Sequence, residues 1–116
     1  MPLRATDDPA KSIESVQKDI GDAQFLVFFS SRTSGKLWCP DCVRVEQLVL
    51  DTFGNEDAPK ALIVYVGQRA EWKSSSNVFR GEPWKVSSVP TILRLSDGAQ
   101  LVDSEIQGDS LASFSK

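Results

Sequence analysis

The 116 residues, 41% of them hydrophobic, suffice for one compact domain with a modest core and leave no room for a second, so a single domain over 1–116 is expected. Charge excludes as much as length does: 13 Lys and Arg against 16 Asp and Glu leave a net charge of -3, which gives nucleic acid or an anionic membrane no electrostatic footing. Histidine is absent, which removes Ser-His and Cys-His nucleophile pairs, imidazole acid-base catalysis and mixed Cys/His metal sites.

The opening residues lack the apolar core of a signal peptide, and the longest apolar run, Phe25 to Phe29, is far too short to span a bilayer. A soluble, cytoplasmic protein is expected. Asp8 followed by Pro9 reads as the start of a first helix, with Ile13, Val16 and Ile20 as its apolar stripe and Gly21 as its stop. "QFLVFF" (24–29) is uniform enough for a strand buried on both faces, and the polar loop "SSRTSGKL" follows it. From Cys39 the apolar positions Val43, Val45, Leu48, Val49 and Phe53 predict a second helix, with Pro40 tolerated in its first turn. "ALIVYVG" (61–67) is a second buried strand, and a short third helix is expected around Trp72 to Phe79. "TILRLS", Asp97-Gly98 and "AQLVDSEI" predict a closing hairpin, before a last helix over 109–115 capped by Asp109. The order αβαβαββα mixes parallel crossovers with an antiparallel hairpin, so the expected fold is α/β: a mixed central sheet with helices on both faces.

The two cysteines, Cys39 and Cys42, sit where a strand and loop feed a helix N-terminus. There the helix dipole and unpaired N–H groups favour the thiolate of the first cysteine. Cys39 is then the nucleophile, and Cys42, one turn on, is placed to attack the mixed disulfide that Cys39 forms with a substrate. A zinc or iron–sulfur half-site is the other reading, but four ligands are needed and the chain offers two thiols without histidine, so no bound metal is expected. Two cysteines also argue against a secreted disulfide scaffold.

Around the pair, Pro90 in "SVPT" begins a strand, and a cis Val89-Pro90 bond there puts the Val89 backbone beside the dithiol, where it can hydrogen-bond substrate. Trp38 is either core packing or a flat shield and contact surface at the edge of the thiol. Asp41 is either a first-turn acid facing solvent or a proton acceptor for Cys42. "SGK" (34–36) fails as a phosphate loop, because Ser30 stands where its earlier glycine is required and Leu37 where a Ser or Thr is.

With strand, loop, Trp-Cys-x-x-Cys on a helix and Val-Pro-Thr before the last hairpin, the chain resembles the thioredoxin fold. More narrowly, "WCPDCV" (38–43) resembles the Clot-type thioredoxin-related proteins, which carry Cys-Pro-Asp-Cys where ordinary thioredoxins carry Cys-Gly-Pro-Cys. Gly35-Lys36, the stretch from "VYVGQRAEWK" through "NVFR" (64–80) and "KVSSVPT" (85–91) extend the likeness over residues 8 to 115. The resemblance implies a cytosolic disulfide reductase with no bound cofactor, reduced by NADPH through thioredoxin reductase and acting on cystine or other small, accessible disulfides. It makes Cys39 the nucleophile, Cys42 the resolving thiol and Pro90 a cis proline. Trp38, Pro40, Val89 and Pro90 are expected as substrate contacts, and a monomer as the working form. The long loop before Trp38 and the third-helix region flank the dithiol and narrow its substrate range. The chain departs from ordinary thioredoxins at Phe28, where they hold a buried acid, which leaves Asp41 as the candidate acceptor for the Cys42 proton.

Two other readings remain open at this stage. Glutathione coupling, as in glutaredoxins, is opposed by the charge of Asp41. A redox-sensing docking module would instead present Trp38, Trp72 and Trp84 to a protein partner.

Overall fold

The computed structural model describes residues 3–8, 10 and 12–115. Strand β2 (Phe25–Phe29) is the centre of the fold, with all five residues buried, as a continuous apolar run requires. Its neighbour β5 (Ala61–Tyr65) runs parallel to it in the register Phe25 to Ala61, and β6 (Thr91–Arg94) runs antiparallel on its other side with Phe28 opposite Thr91. A short β1 (Leu3–Ala5) lies parallel to β5 at one edge, and β7 (Gln100–Val102) closes the other, giving the order β1-β5-β2-β6-β7. This is the mixed sheet expected. The edge strand β1 escaped the sequence reading because three residues carry no periodicity; pairing with the already buried β5 creates it.

Side chains alternate across β2 and recruit a layer on each face. Phe25 meets Phe53 of helix α2 (Pro40–Phe53) at 5.3 Å and Phe114 of α4 (Gly108–Phe114) at 6.0 Å. Phe28, on the other face, meets Trp84 at 5.8 Å and Phe79 at 6.1 Å, and those two rings stack on each other. Phe79 belongs to a 3-10 turn, Val78–Arg80.

Several boundaries moved, each for a local reason. Helix α1 (Ile13–Ile20) starts at Ser12, whose hydroxyl accepts from the Ser15 N–H while Ser15 returns the bond, a reciprocal cap that replaces the one expected from Asp8. Asp8 instead accepts the Arg32 N–H, and Pro9, expected as the first helical residue, lies outside the described residues. The expected third helix is two pieces, α3 (Arg69–Lys73) and the 3-10 turn. Between them three serines weaken the helix, and the Asn77 carboxamide accepts from Phe79 N–H while donating to the carbonyls of Val66 and Glu71. Val43, expected in the core, is half exposed; Val45, Val49 and Phe53 carry the buried face. The last strand ends at Val102 because Asp103 turns the chain at φ 51°, and α4 begins after Gln107 rather than Asp109.

In the hairpin β6–β7, Gly98 takes φ 75° and Asp97 accepts from Arg94 and from the Ala99 N–H. The Arg94 guanidinium, foremost, and the Ala99 N–H hold the Asp97 carboxyl at about 2, below the ordinary 3.8. A carboxyl depressed in the folded state stabilises above its unfolded value and loses that contribution as pH falls through the folded one. Asp97→Asn therefore lowers the unfolding midpoint at neutral pH, and the gap from wild type closes between about 4 and 2. A gap that stays constant down to pH 2 in thermal melts contradicts this.

Candidate functional site

The site stands at the end of β2 that leads into α2. Between them the polar loop forms a small hairpin, β3 (Arg32–Thr33) with β4 (Lys36–Leu37), turned by Ser34 and Gly35, both at positive φ as a two-residue hairpin turn demands. Arg32 pairs with Glu46 of α2, its N–H donates to Asp8, and its carbonyl accepts from Gln68. Leu37 is buried. The loop is thus tied down on three sides before it delivers Trp38 and Cys39.

Trp38 is held by its indole N–H, which donates to the Gly67 carbonyl at 2.9 Å. Gly67 sits at φ 113°, a conformation side chains rarely adopt, and an added Cβ would meet Glu71 at 3.1 Å. Its N–H and C=O both bond Ser31, so strand end, tryptophan and the start of α3 are one hydrogen-bonded unit. The Arg69 guanidinium lies 5.1 Å from the Trp38 ring centre. Trp38 is partly exposed beside the thiol, which fits the shielding reading better than pure packing.

Cys39 is the N-cap of α2, at φ -90° and ψ 118°, and Pro40 occupies the first helical position, where its missing N–H costs nothing. Its thiol is therefore at the positive end of a 14-residue helix. Cys39 keeps 9% of its surface exposed, whereas Cys42 keeps 0%, so of the two only Cys39 meets solvent. Both are free thiols in this structure. Cys39 Sγ–H points at the Val89 carbonyl, 3.7 Å away, and the Val89-Pro90 peptide bond is cis. Val89 and Pro90 are buried and Pro40 exposed, so Trp38 and Pro40 flank Cys39 at the surface and the Val89 backbone lies beside its thiol.

Burial pushes the Cys42 thiol well above its ordinary range, the nearby Cys39 adds to the rise, and contacts from Ser30 oppose it. Ser30, fully buried at the end of β2, bridges the pair: its N–H donates to Cys42 Sγ at 3.4 Å and its hydroxyl oxygen accepts from the Cys39 N–H at 3.2 Å. The sequence reading met Ser30 only as a mismatch to a phosphate loop. The available signal was a lone polar residue closing an apolar strand just before the cysteine loop.

Asp41 is placed differently from the expectation. Its carboxylate is exposed on the rim, 3.9 Å from Arg44 Nε, and it faces Asp103, whose carboxyl is raised first by burial and then by the Asp41 charge. Among the described residues no hydrogen bond joins Asp41 to Cys42, because adjacent residues on a helix point about 100° apart. Trp72 is buried beneath Arg80, and Trp84 is packed against Phe28 and Phe79, so the three tryptophans do not form one docking surface. A groove of about 670 Å³ lined by Phe25, Arg94 and Ser115 opens at the other end of β2, away from the thiols.

A family model described as "Thioredoxin domain-containing protein 17-like, thioredoxin domain" matches residues 3–114. The chain belongs to that family. Its sheet, cis proline and Cys-x-x-Cys pair are accordingly those of a thioredoxin-like fold, and the family places it generally among redox proteins. It is 37% identical over 94 residues to thioredoxin domain-containing protein 17 of Epinephelus coioides, covering 79% of this chain and 76% of that one. It is 35% identical over 103 residues to the Mus musculus protein of that name, covering 84% and 80%. The thioredoxin-like protein Clot of Arabidopsis thaliana is 29% identical over 107 residues, 81% of this chain and 78% of the relative. The likeness to Clot-type proteins drawn from "WCPDCV" is therefore supported along most of the chain.

Proposed function

We propose that the protein is a dithiol–disulfide oxidoreductase that works as a reductant in the cytoplasm, as a monomer, on cystine and other small or accessible disulfides. One observation carries the reading: two free thiols at a helix N-terminus, the outer one keeping 9% of its surface open beside a peptide carbonyl and the inner one fully enclosed. The Cys39 thiolate attacks one sulfur of the substrate disulfide, expelling the other as a thiolate that takes up a proton. Cys42 then attacks Cys39 Sγ, forming the Cys39–Cys42 disulfide and releasing the second substrate thiol. Thioredoxin reductase, drawing on NADPH, returns the pair to dithiol; neither reductase nor nucleotide is part of this chain.

Selectivity comes from exclusion. The pinned β3–β4 hairpin on one side and the Gly67–Trp38–Arg69 unit on the other leave Cys39 little exposed, which favours small disulfides over bulky protein partners. Asp41 contributes negative charge at the rim, which disfavours anionic glutathione.

NADPH consumption by thioredoxin reductase with cystine as acceptor tests the reading. Added wild-type protein accelerates it, and Cys39→Ser returns it to the rate without protein. If the wild type adds nothing above that background, the reductase assignment falls.

A further inference from the structure

Resolution of a mixed disulfide requires Cys42 as a thiolate, yet Cys42 has no solvent contact and lies in apolar surroundings. Ordinary charge compensation is missing. Phe28 occupies β2 two residues before Ser30, its ring committed to Phe79 and Trp84, and Asp41, Arg44 and Asp103 face one another at the rim. Among the described residues Cys39 is the one titratable group facing Cys42, and its negative charge opposes ionisation until it is consumed in the mixed disulfide. What does face Cys42 is Ser30, whose backbone N–H donates to its sulfur at 3.4 Å and whose hydroxyl opposes the rise of the thiol. The hydroxyl oxygen already accepts the Cys39 N–H at 3.2 Å, so its own proton is left to donate. One buried residue thereby holds both cysteines, its hydroxyl oxygen on the Cys39 N–H and its own N–H on the Cys42 sulfur.

We infer that Ser30 is a catalytic residue of the second half-reaction, its hydroxyl and N–H stabilising the Cys42 thiolate as it attacks Cys39 Sγ. The inference rests on the disulfide-exchange reading above and deepens it. In the step, Cys42 loses its proton and forms the new bond to Cys39 as the bond from Cys39 to the substrate sulfur breaks, and the departing substrate thiolate takes up one proton, so the exchange is balanced. Donors that stabilise an anion in a dry site act more strongly than in water, so the hydroxyl suits a place where a second carboxylate would add a buried charge.

The test is a single turnover of the full chain with an aromatic disulfide whose released thiolate is coloured. The first equivalent of colour reports attack by Cys39 and the second reports resolution by Cys42, without thioredoxin reductase or a natural substrate. Ser30→Ala slows the second release about tenfold more than the first, equivalent to the pH profile of the second moving about one unit upward. Ser30→Thr, which restores the hydroxyl, brings the second release back near wild type, and circular dichroism checks that both variants fold. The inference is overturned if Ser30→Ala resolves like wild type at every pH, or if Ser30→Thr is as slow as Ser30→Ala. If instead both releases occur as described but cystine and thioredoxin reductase are not used, Ser30 keeps its role and the substrate assignment is what fails.

Discussion

Cys42→Ser stops turnover and accumulates the protein as a mixed disulfide on Cys39. The reason is geometric: Cys39 alone is open to substrate, and Cys42 is the sulfur enclosed behind it. Without the second thiol the first exchange proceeds, and nothing within the site can displace the substrate from Cys39. Steady-state reduction of cystine should fall by roughly a hundredfold or more, since release then waits for an external thiol. Intact-mass measurement after exposure to cystine gives the protein plus one half-cystine for Cys42→Ser, and the unmodified mass for Cys39→Ser. Adduct on Cys39→Ser instead would mean that Cys42 is reachable and that the two roles are wrongly divided.

Phe28→Ala is expected to be the most damaging single change away from the thiols. Phe28 has no exposed surface, and its ring meets those of Phe79 and Trp84, which stack on each other. Truncation to alanine removes the ring's transfer free energy and leaves a cavity among groups that cannot collapse into it, at a cost of about 3–5 kcal/mol. The loss is also local to the site, because Phe28 lies two residues before Ser30, which follows directly on the end of β2. Chemical denaturation of the reduced protein measures it; a loss below about 1 kcal/mol would mean that this aromatic cluster repacks freely and does not brace the strand end.

These two residues illustrate how differently parts of the protein could be read. The Cys-x-x-Cys pair at a helix start pointed to a redox protein from spacing alone, because a dithiol one turn apart has few other uses in a chain without histidine. Phe28 could be placed in a buried strand from its apolar neighbours, but its ring partners are 51 and 56 residues downstream in an irregular stretch no periodicity describes. Asp41 was legible as a first-turn acid and misread in direction, since a helix turns neighbouring side chains apart and Arg44 and Asp103 supply its partners. Ser30 was legible as a residue and silent as a function.

The sequence by itself determined the class of fold, the central strands and the helix that carries the thiols, all set by interactions within a few residues: apolar periodicity, a proline at a helix start, a hairpin turn. Only the tertiary structure decided which groups surround those thiols. Edge strand β1, the tethered β3–β4 hairpin, the Gly67 carbonyl under Trp38, the outward turn of Asp41 and the Ser30 bridge all depend on distant segments brought into contact by packing. Local signals are written in spacing, whereas long-range contacts exist only once burial of the apolar faces has brought the strands into one sheet.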